Sequence, residues 1–401
     1  MFQHIGKDAP ASLVVFLVAL PLCLGIALAS GAEPIAGLIA GIIGGLLVAP
    51  ISGSQVGVSG PAAGLAVIVY DGIQEVGFEA FLLAVVIGGL AQLVLGLIRA
   101  GVVGKYFPSS VIQGMLAAIG IIIFIKQIPH GLGYAGAEGT IKADKVFDVL
   151  LLLSDNITYT SATAMLVTFV CLAILISWET SFMKAQRFTK VLSGSLTAVM
   201  AGVLVHLITR NGSEALTTKQ LVDVPTNHAA NGIDPSVWGS LLTFPDFTAI
   251  GDSAIWILAA TITVVASLET LLCVEATDKL DPEQRVTPTN RELLAQGVGN
   301  TVSGLIGGLP ITQVIVRSSA NIQTGNATKL SAILHGVWLL LFFLLAPTLL
   351  TYIPLGSLAA ILFVVGYKLA KPATFKSVYA SGMKHFIPFL VTILALSLIH
   401  I

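Results

Sequence analysis

Apolar runs close to the length of a membrane-spanning helix recur along the whole chain. A helix needs about 20 apolar residues to cross the hydrocarbon core of a bilayer. Of the 401 residues, 55% are apolar and only 10% are charged, against roughly 25% charged in an average soluble domain. The sequence therefore predicts an all-α polytopic membrane protein with thirteen spans, near residues 11–30, 34–50, 60–76, 79–98, 108–128, 158–177, 189–209, 252–276, 291–306, 311–323, 329–350, 354–370 and 385–401.

The distribution of basic residues predicts the orientation of these spans. The first apolar run has no basic leader and runs directly into a second, so we expect it to be a span of the mature protein and not a cleaved signal. With a cytoplasmic N-terminus, 14 of the 20 Lys and Arg residues fall on the inner side and 5 on the outer side, with Arg317 inside a span. This asymmetry is the one expected from the positive-inside rule.

Two short spans and a faint internal repeat suggest how the chain is organised. The short spans follow Ser59-Gly60-Pro61 and Gly307-Gly308-Leu309-Pro310, and interrupted spans in corresponding places point to a transporter binding site. If the third span corresponds to the tenth, the repeating unit is seven spans long. Because seven is odd, the two units have opposite orientations in the membrane. We therefore predict a first inverted repeat over 1–210, an external connection over 211–251 and a second repeat over 252–401. The second repeat would lack the last of fourteen spans, as expected of a truncated chain.

The starts of the two short spans are candidate anion sites. The first N–H groups of a helix have no partner within it, and the helix dipole places partial positive charge there. We expect Ser59 or Gly60 to be the N-cap of the third span, with Pro61 at its first helical position. In the tenth span, Pro310 would precede the helix. The alternative is that both places are ordinary kinks.

Two charged residues lie where a charge is costly. Each costs on the order of 2.5–3.5 kcal/mol at the centre of a span, so Glu269 and Arg317 need a reason to be there. Alternatively, Glu269 is a hydrated or paired carboxylate near a helix end, and the Arg317 side chain extends to the inner membrane surface.

The three cysteines are expected to be core residues without a disulfide or metal site. No set of catalytic residues is found, so an enzyme is not expected.

These motifs resemble, over essentially the whole chain, the sulfate permease (SulP) family, in particular its bacterial bicarbonate and sulfate transporters. The resemblance rests on Ala19-Leu20-Pro21, Ser59-Gly60-Pro61, Ser267-Leu268-Glu269-Thr270 and the stretch from Gly307 to Arg317, in this order and spacing. It implies two inverted seven-span repeats, core and gate domains, and an elevator-like alternating-access mechanism. The STAS domain that usually follows in this family is absent from this sequence.

The resemblance also implies the site. The substrate would lie between the third and tenth helices. The substrate-binding residues would be Ser59, Gly60, Leu22, Cys23, Gln313, Val314, Ile315 and Arg317. Glu269 and Cys273 would hold the coupling ion. Cys273 and Ile315 stand where sodium-driven relatives have Thr, which weakens the case for sodium and leaves Glu269 suited to carry a proton. No cofactor is expected, and no metal apart from Na⁺ at Glu269.

The resulting hypothesis is a secondary transporter that couples uptake of bicarbonate or sulfate to H⁺ or Na⁺. The alternatives are an uncoupled anion channel or exchanger of the same fold, and a nucleobase permease, a family that typically has carboxylates on both the eighth and tenth spans. The resemblance implies a homodimer in the bacterial inner membrane, with a carbonic anhydrase as a further partner. Nucleic acid is not expected as a partner.

Overall fold

The computed structural model describes residues 4–102, 109–134, 160–186, 189, 193–212, 215–223 and 242–400. Thirteen helices correspond to the predicted spans, and two short strands precede two of them. They are α1 (Ile5–Ala29), α2 (Pro34–Ile43), β1 (Ser59–Pro61), α3 (Ala66–Val76), α4 (Phe78–Leu97), α5 (Ser109–Lys126), α6 (Ala162–Trp178), α7 (Gly194–Thr209), α8 (Ser253–Leu280), α9 (Thr289–Leu305), β2 (Ile311–Gln313), α10 (Ile315–Gln323), α11 (Leu330–Leu345), α12 (Leu355–Leu369) and α13 (Met383–His400).

The helices confirm the polytopic all-α prediction. Six helical segments of the described chain are long and apolar enough to cross a membrane: 5–29, 34–51, 78–97, 110–132, 253–280 and 355–380. The second of these continues past α2 through a π-helical turn at Gly44–Val48. Short helices outside the predicted spans lie at Ile128–Leu132, Ser181–Lys184 and Pro372–Ala380, and the predicted span 329–350 is divided into α11 and a short helix at Pro347–Leu350.

The third and tenth spans begin as strands, which corrects the prediction for their first turns. Ser59–Pro61 is extended, a 3₁₀ turn begins only at Ala63, and Ala62 is its N-cap, so Pro61 is not a first helical residue. In the tenth span Val314 is the N-cap of α10. A proline disfavours helical conformation in the residue before it, and pairing with a distant strand keeps both segments extended.

The described chain forms two compact units, and each draws segments from both predicted repeats. The first unit comprises Met1–Lys105, Ala185–Ser193 and Val224–Leu350. The second comprises Tyr106–Lys184, Gly194–Asp223 and Thr351–Ile401. Every residue predicted for the site belongs to the first unit. The division into inverted repeats remains a prediction.

Three glycines of the second span allow close packing in the first unit. A Cβ on Gly37 would lie 2.1 Å from the Cys23 carbonyl oxygen, and one on Gly44 would lie 2.3 Å from the Ser59 carbonyl oxygen. At Gly41 it would lie 2.6 Å from the Cys23 sulfur. Small residues permit such backbone approach between membrane helices, and here they bring α1 and β1 against α2.

Candidate functional site

A two-stranded antiparallel ribbon organises the candidate site. Ser59 pairs with Gln313, Gly60 with Thr312 and Pro61 with Ile311. Because the strands are antiparallel, each ends where its partner begins, and the two following helices leave the ribbon at opposite ends. The ribbon extends for two residue steps, roughly 7 Å. The starts of the 3₁₀–α3 segment and of α10 therefore lie near one another across this short distance.

Helix α9 fixes the ribbon from one side. The Asn300 amide nitrogen donates to the Ile311 carbonyl at 3.0 Å, and the Ile311 N–H donates to Asn300 Oδ1 at 2.5 Å. One helical turn earlier, Gln296 Nε2 donates to Ser59 Oγ at 2.8 Å. Both amide side chains are fully buried. The Asn300 amide thus satisfies both backbone groups of Ile311, and the Gln296 amide holds the Ser59 side chain.

Helix α8 fixes the other end of the ribbon through two threonines. The Gln313 N–H donates to Thr270 Oγ1 at 3.4 Å, and the Gln313 side-chain nitrogen donates to Thr277 Oγ1 at 2.8 Å. The Val314 N–H is also occupied, since it donates to the Val58 carbonyl at 3.0 Å. The backbone N–H groups of Gln313 and Val314 are therefore already engaged, and the helical N–H groups of α10 begin with that of Ile315.

Arg317 lies beside the ribbon and is buried, which rules out an arginine that extends to the membrane surface. It is 1% exposed. Within the described chain its Nη1 and Nη2 have no hydrogen-bond partner, and neither has Thr312 Oγ1, opposite Gly60 on the ribbon. A Cβ on Gly60 would lie 2.1 Å from Nη1. The Cys23 thiol and the fully buried His335 interact electrostatically with this guanidinium.

Glu269 and Cys273 lie one turn apart on α8, and each contacts the start of a different helix. The Glu269 carboxylate lies against Gly64, in the 3₁₀ turn before α3, where a Cβ would lie 2.7 Å from either carboxylate oxygen. The Cys273 thiol interacts with the backbone N–H of Ile315, the first residue of α10. Glu269 Oε2 is buried and has no partner in the described chain. Together these contacts place one carboxylate beside the paired helix starts.

The structure brings most of the predicted residues together, with different roles for some. Gly60, Cys23 and Arg317 form one cluster, whereas the Ser59 hydroxyl contacts α9. Leu22 is buried within α1, at 5% exposure. Ile315 presents its backbone to the site, and its side chain is 40% exposed. Among described residues, no group of three His, Cys, Asp or Glu side chains could hold a metal ion.

Sequence reasoning missed the polar residues of α9. Glu292, Gln296 and Asn300 are spaced by four residues, so they lie on one helical face, and all three are fully buried. The Gln296 and Asn300 side chains form hydrogen bonds with β1 and β2, and Glu292 accepts a hydrogen bond from Gln296. The regular spacing of polar residues within a predicted span was the signal that could have identified them.

Comparison with known proteins finds relatives that match most of the chain. YvdB of Bacillus subtilis is 28% identical over 369 residues, covering 92% of this chain and 65% of YvdB. Bicarbonate transporter BicA of Picosynechococcus is 27% identical over 374 residues, covering 91% of this chain and 62% of BicA. The chain thus spans less than two thirds of the length of either relative. The solved transmembrane domain of a cyanobacterial BicA has the same fold, with a TM-score of 0.84, 24% identity and coverage of 100% of this chain and 97% of that one.

A family model settles the classification. The model described as "Sulfate permease family" matches residues 5–392, nearly the whole chain. The matched relatives whose names state an activity are transporters and not enzymes. The chain is an integral membrane protein and belongs to the sulfate permease family.

Proposed function

We propose that this protein is a secondary transporter of a small inorganic anion, bicarbonate or sulfate, which binds between the starts of α3 and α10. The observation that carries the proposal is Arg317, a fully buried guanidinium whose Nη1 and Nη2 have no partner in the described chain. Burying an unpaired charge is costly. An anion that accepts hydrogen bonds from both nitrogens would remove that cost.

The helix starts add to the attraction for an anion. Each contributes about 0.3–1 kcal/mol to binding a negative charge, and up to about 2 kcal/mol when partly buried. These values are small beside the desolvation of an anion, so the guanidinium supplies the larger share. Thr312 Oγ1, also buried and unpartnered, is a further donor on the Arg317 face of the ribbon.

Glu269 is the group that we assign to coupling. An ionised Glu269 opposes an anion at the helix starts, and a protonated one does not, so proton and anion would increase each other's affinity by the same factor. Sodium would need further oxygen ligands. The neighbouring side chain on the same face, one turn along α8, is Cys273, a poor sodium ligand, which favours a proton.

The remaining elements of the proposal rest on the resemblance and on the placement of the site. All of the site residues belong to the first unit, which supports an elevator-like mechanism in which that unit moves as a body. Residues Ile315–Gln323 of α10 include no carboxylate, which disfavours a nucleobase permease. A homodimer in a bacterial inner membrane, with its N-terminus cytoplasmic, and association with a carbonic anhydrase remain expectations.

Uptake by purified protein in liposomes tests the proposal. Labelled bicarbonate and labelled sulfate are offered separately, with proton and sodium gradients varied independently. We expect accumulation of at least one anion above its equilibrium level under an inward proton gradient. Net anion current without a driving gradient for either cation would instead identify an uncoupled channel. Failure to transport either anion would refute the proposal.

A further inference from the structure

The hydrogen bonds of Ser59 depend on a second buried carboxylate that the proposed function does not use. Glu292, in the first turn of α9, is fully buried. Its Oε2 accepts a hydrogen bond from Ser52 Oγ at 2.5 Å, and its Oε1 accepts one from Gln296 Nε2 at 3.0 Å. The same Gln296 nitrogen donates to Ser59 Oγ at 2.8 Å. Glu292, Gln296 and Ser59 therefore form a continuous chain that ends on the ribbon.

The chemistry of these groups determines the direction of every bond in the chain. Both Glu292 oxygens accept hydrogen bonds, Oε2 from Ser52 and Oε1 from Gln296 Nε2, so the amide nitrogen of Gln296, and not its oxygen, faces Glu292. The two hydrogens of that nitrogen are then both used, one by Glu292 and one by Ser59. Ser59 Oγ accepts from Gln296, and its own hydroxyl hydrogen remains free to donate elsewhere.

The unpartnered oxygen of Gln296 is the cost of this orientation. Gln296 Oε1 is buried and has no partner in the described chain. The opposite amide orientation would give Oε1 a donor, the Ser59 hydroxyl, but would place it against the Glu292 carboxylate oxygen. A buried acceptor left without a donor costs about 1–3 kcal/mol. The carboxylate thus selects an orientation that leaves Oε1 without a donor.

Other charges near Glu292 keep the Ser52 end of the chain in place. Lys329 Nζ donates to the Pro50 carbonyl at 2.6 Å and to the Ser52 carbonyl at 3.0 Å. Lys329 and Asp278 both interact electrostatically with Glu292, with opposite signs of charge. Ser52 is therefore anchored through its backbone while its hydroxyl donates to the carboxylate.

We propose that Gln296, oriented by Glu292, is a positioning residue that makes Ser59 a hydrogen-bond donor to the transported anion. The inference rests on the proposed function, because it requires an anion beside Ser59. It adds a specificity rule: the atom of the anion that meets Ser59 must be an acceptor. Every oxygen of sulfate satisfies this rule, as do the unprotonated oxygens of bicarbonate.

A double-mutant cycle separates this role from a merely structural one. The variants are Ser59→Ala, Gln296→Met and the double substitution, and the readout is the Kd for sodium sulfate and sodium bicarbonate, titrated into purified protein. Losing one hydrogen bond to a charged group should raise the Kd about tenfold or more. We expect Gln296→Met to raise the Kd by that factor in the wild type and to leave it unchanged in the Ser59→Ala background.

Gln92→Met is the matched control. Gln92 is a fully buried amide that donates to Ser267 Oγ at 3.1 Å and accepts from Asn300 at 2.6 Å. The fold-changes in Kd caused by Gln92→Met and by Ser59→Ala should multiply when the two substitutions are combined. If Gln296→Met destabilises the protein, Glu292→Gln preserves the shape and removes the charge that orients the amide. It should raise the Kd about threefold, less than loss of the whole bond, and only when Ser59 is present.

The outcomes distinguish the inference from the proposed function. Fold-changes of Gln296→Met and Ser59→Ala that multiply in the double variant would overturn the inference, and so would an unchanged Kd in Ser59→Ala. Neither result affects the proposed function, which is judged by uptake of the wild-type protein. Conversely, a wild type that binds anions with the expected coupling but does not transport them would support the inference and refute transport.

Discussion

Gly64 lies so close to Glu269 that a Cβ on Gly64 would be 2.7 Å from either carboxylate oxygen. The Gly64 backbone also interacts electrostatically with that carboxylate. The absence of a side chain at residue 64 therefore allows a carboxylate on α8 to rest against the first turn of the third span. This contact joins the group that we assign to coupling to one of the two helix starts.

Replacing Gly64 should test that contact. In Gly64→Ala the new methyl group would displace the end of the Glu269 side chain, which is flexible, so we expect stability to change little. Uphill uptake should fall about tenfold, the size expected when one contact of a charged group is lost. Gly6→Ala is the matched control, because a Cβ on Gly6 meets nothing within 4 Å. Equal uptake by the two variants would show that the contact of Gly64 with Glu269 does not contribute to transport.

Glu269→Gln should uncouple transport from the proton gradient. The amide keeps the shape of the side chain but cannot gain or lose a proton, so anion exchange should continue while accumulation against a gradient stops. Exchange and net uptake are measured in the same liposomes. A variant that concentrates its anion at the wild-type rate would show that the coupling site lies elsewhere. Wild-type uptake that requires sodium and ignores pH would make Glu269 a sodium ligand.

Asn300→Leu should destabilise the first unit. The substitution leaves the buried N–H and carbonyl of Ile311 and the Gln92 side-chain oxygen without their partner. Each unsatisfied group costs about 1–3 kcal/mol, so the Tm in detergent should fall clearly. Thr261→Val is the control, because Thr261 donates only to a carbonyl of its own helix, that of Ile257. A Tm equal to that of the control would argue against this support of the ribbon.

Asp281, directly after α8, should contribute a pH-dependent share of stability. Burial acts to raise its pKa, but hydrogen bonds from Arg285, at 2.6 Å and 3.0 Å, hold the pKa below its usual value. A depressed pKa stabilises the fold above the unfolded value of about 3.9, and the contribution is lost as the pH falls through the lower folded value. Asp281→Asn should therefore lower the Tm at pH 7.

The difference between wild type and Asp281→Asn should shrink as the pH approaches 3. Glu283→Gln is the control: its carboxylate lies 3.4 Å from the same arginine but is 67% exposed, and exposed pairs contribute little. A Tm difference for Asp281→Asn that is independent of pH would show that the ionised carboxylate is not responsible.

The span positions could be predicted from the sequence because the bilayer imposes a length of apolar helix that hydropathy alone reveals. The start of the third and tenth spans could not. Ser59 pairs with Gln313, a partner more than half the chain away, and this long-range pairing overrides the local preference that placed Pro61 in a first helical turn.

The same distinction applies to the site. Glu269 and Arg317 stood out because a charge in an apolar run is costly wherever it lies. Gln296 and Asn300 are neutral, so their presence in a span carried no comparable penalty. Their roles depend on which strand edge each amide reaches, which only the packed structure shows. Ser59 was singled out by its place before Pro61, and its hydroxyl is in fact engaged by α9.

Arg317 is the residue that we assign to binding the transported anion, and anion uptake by Arg317→Gln tests this assignment most directly. The glutamine retains a donor but removes the charge, and the loss of one charged contact to an anion is worth about 1.5–3 kcal/mol, or roughly ten- to a hundredfold in affinity. We predict that KM for sulfate or bicarbonate rises by that factor, with membrane insertion unchanged. A variant that transports both anions with wild-type KM would contradict the account.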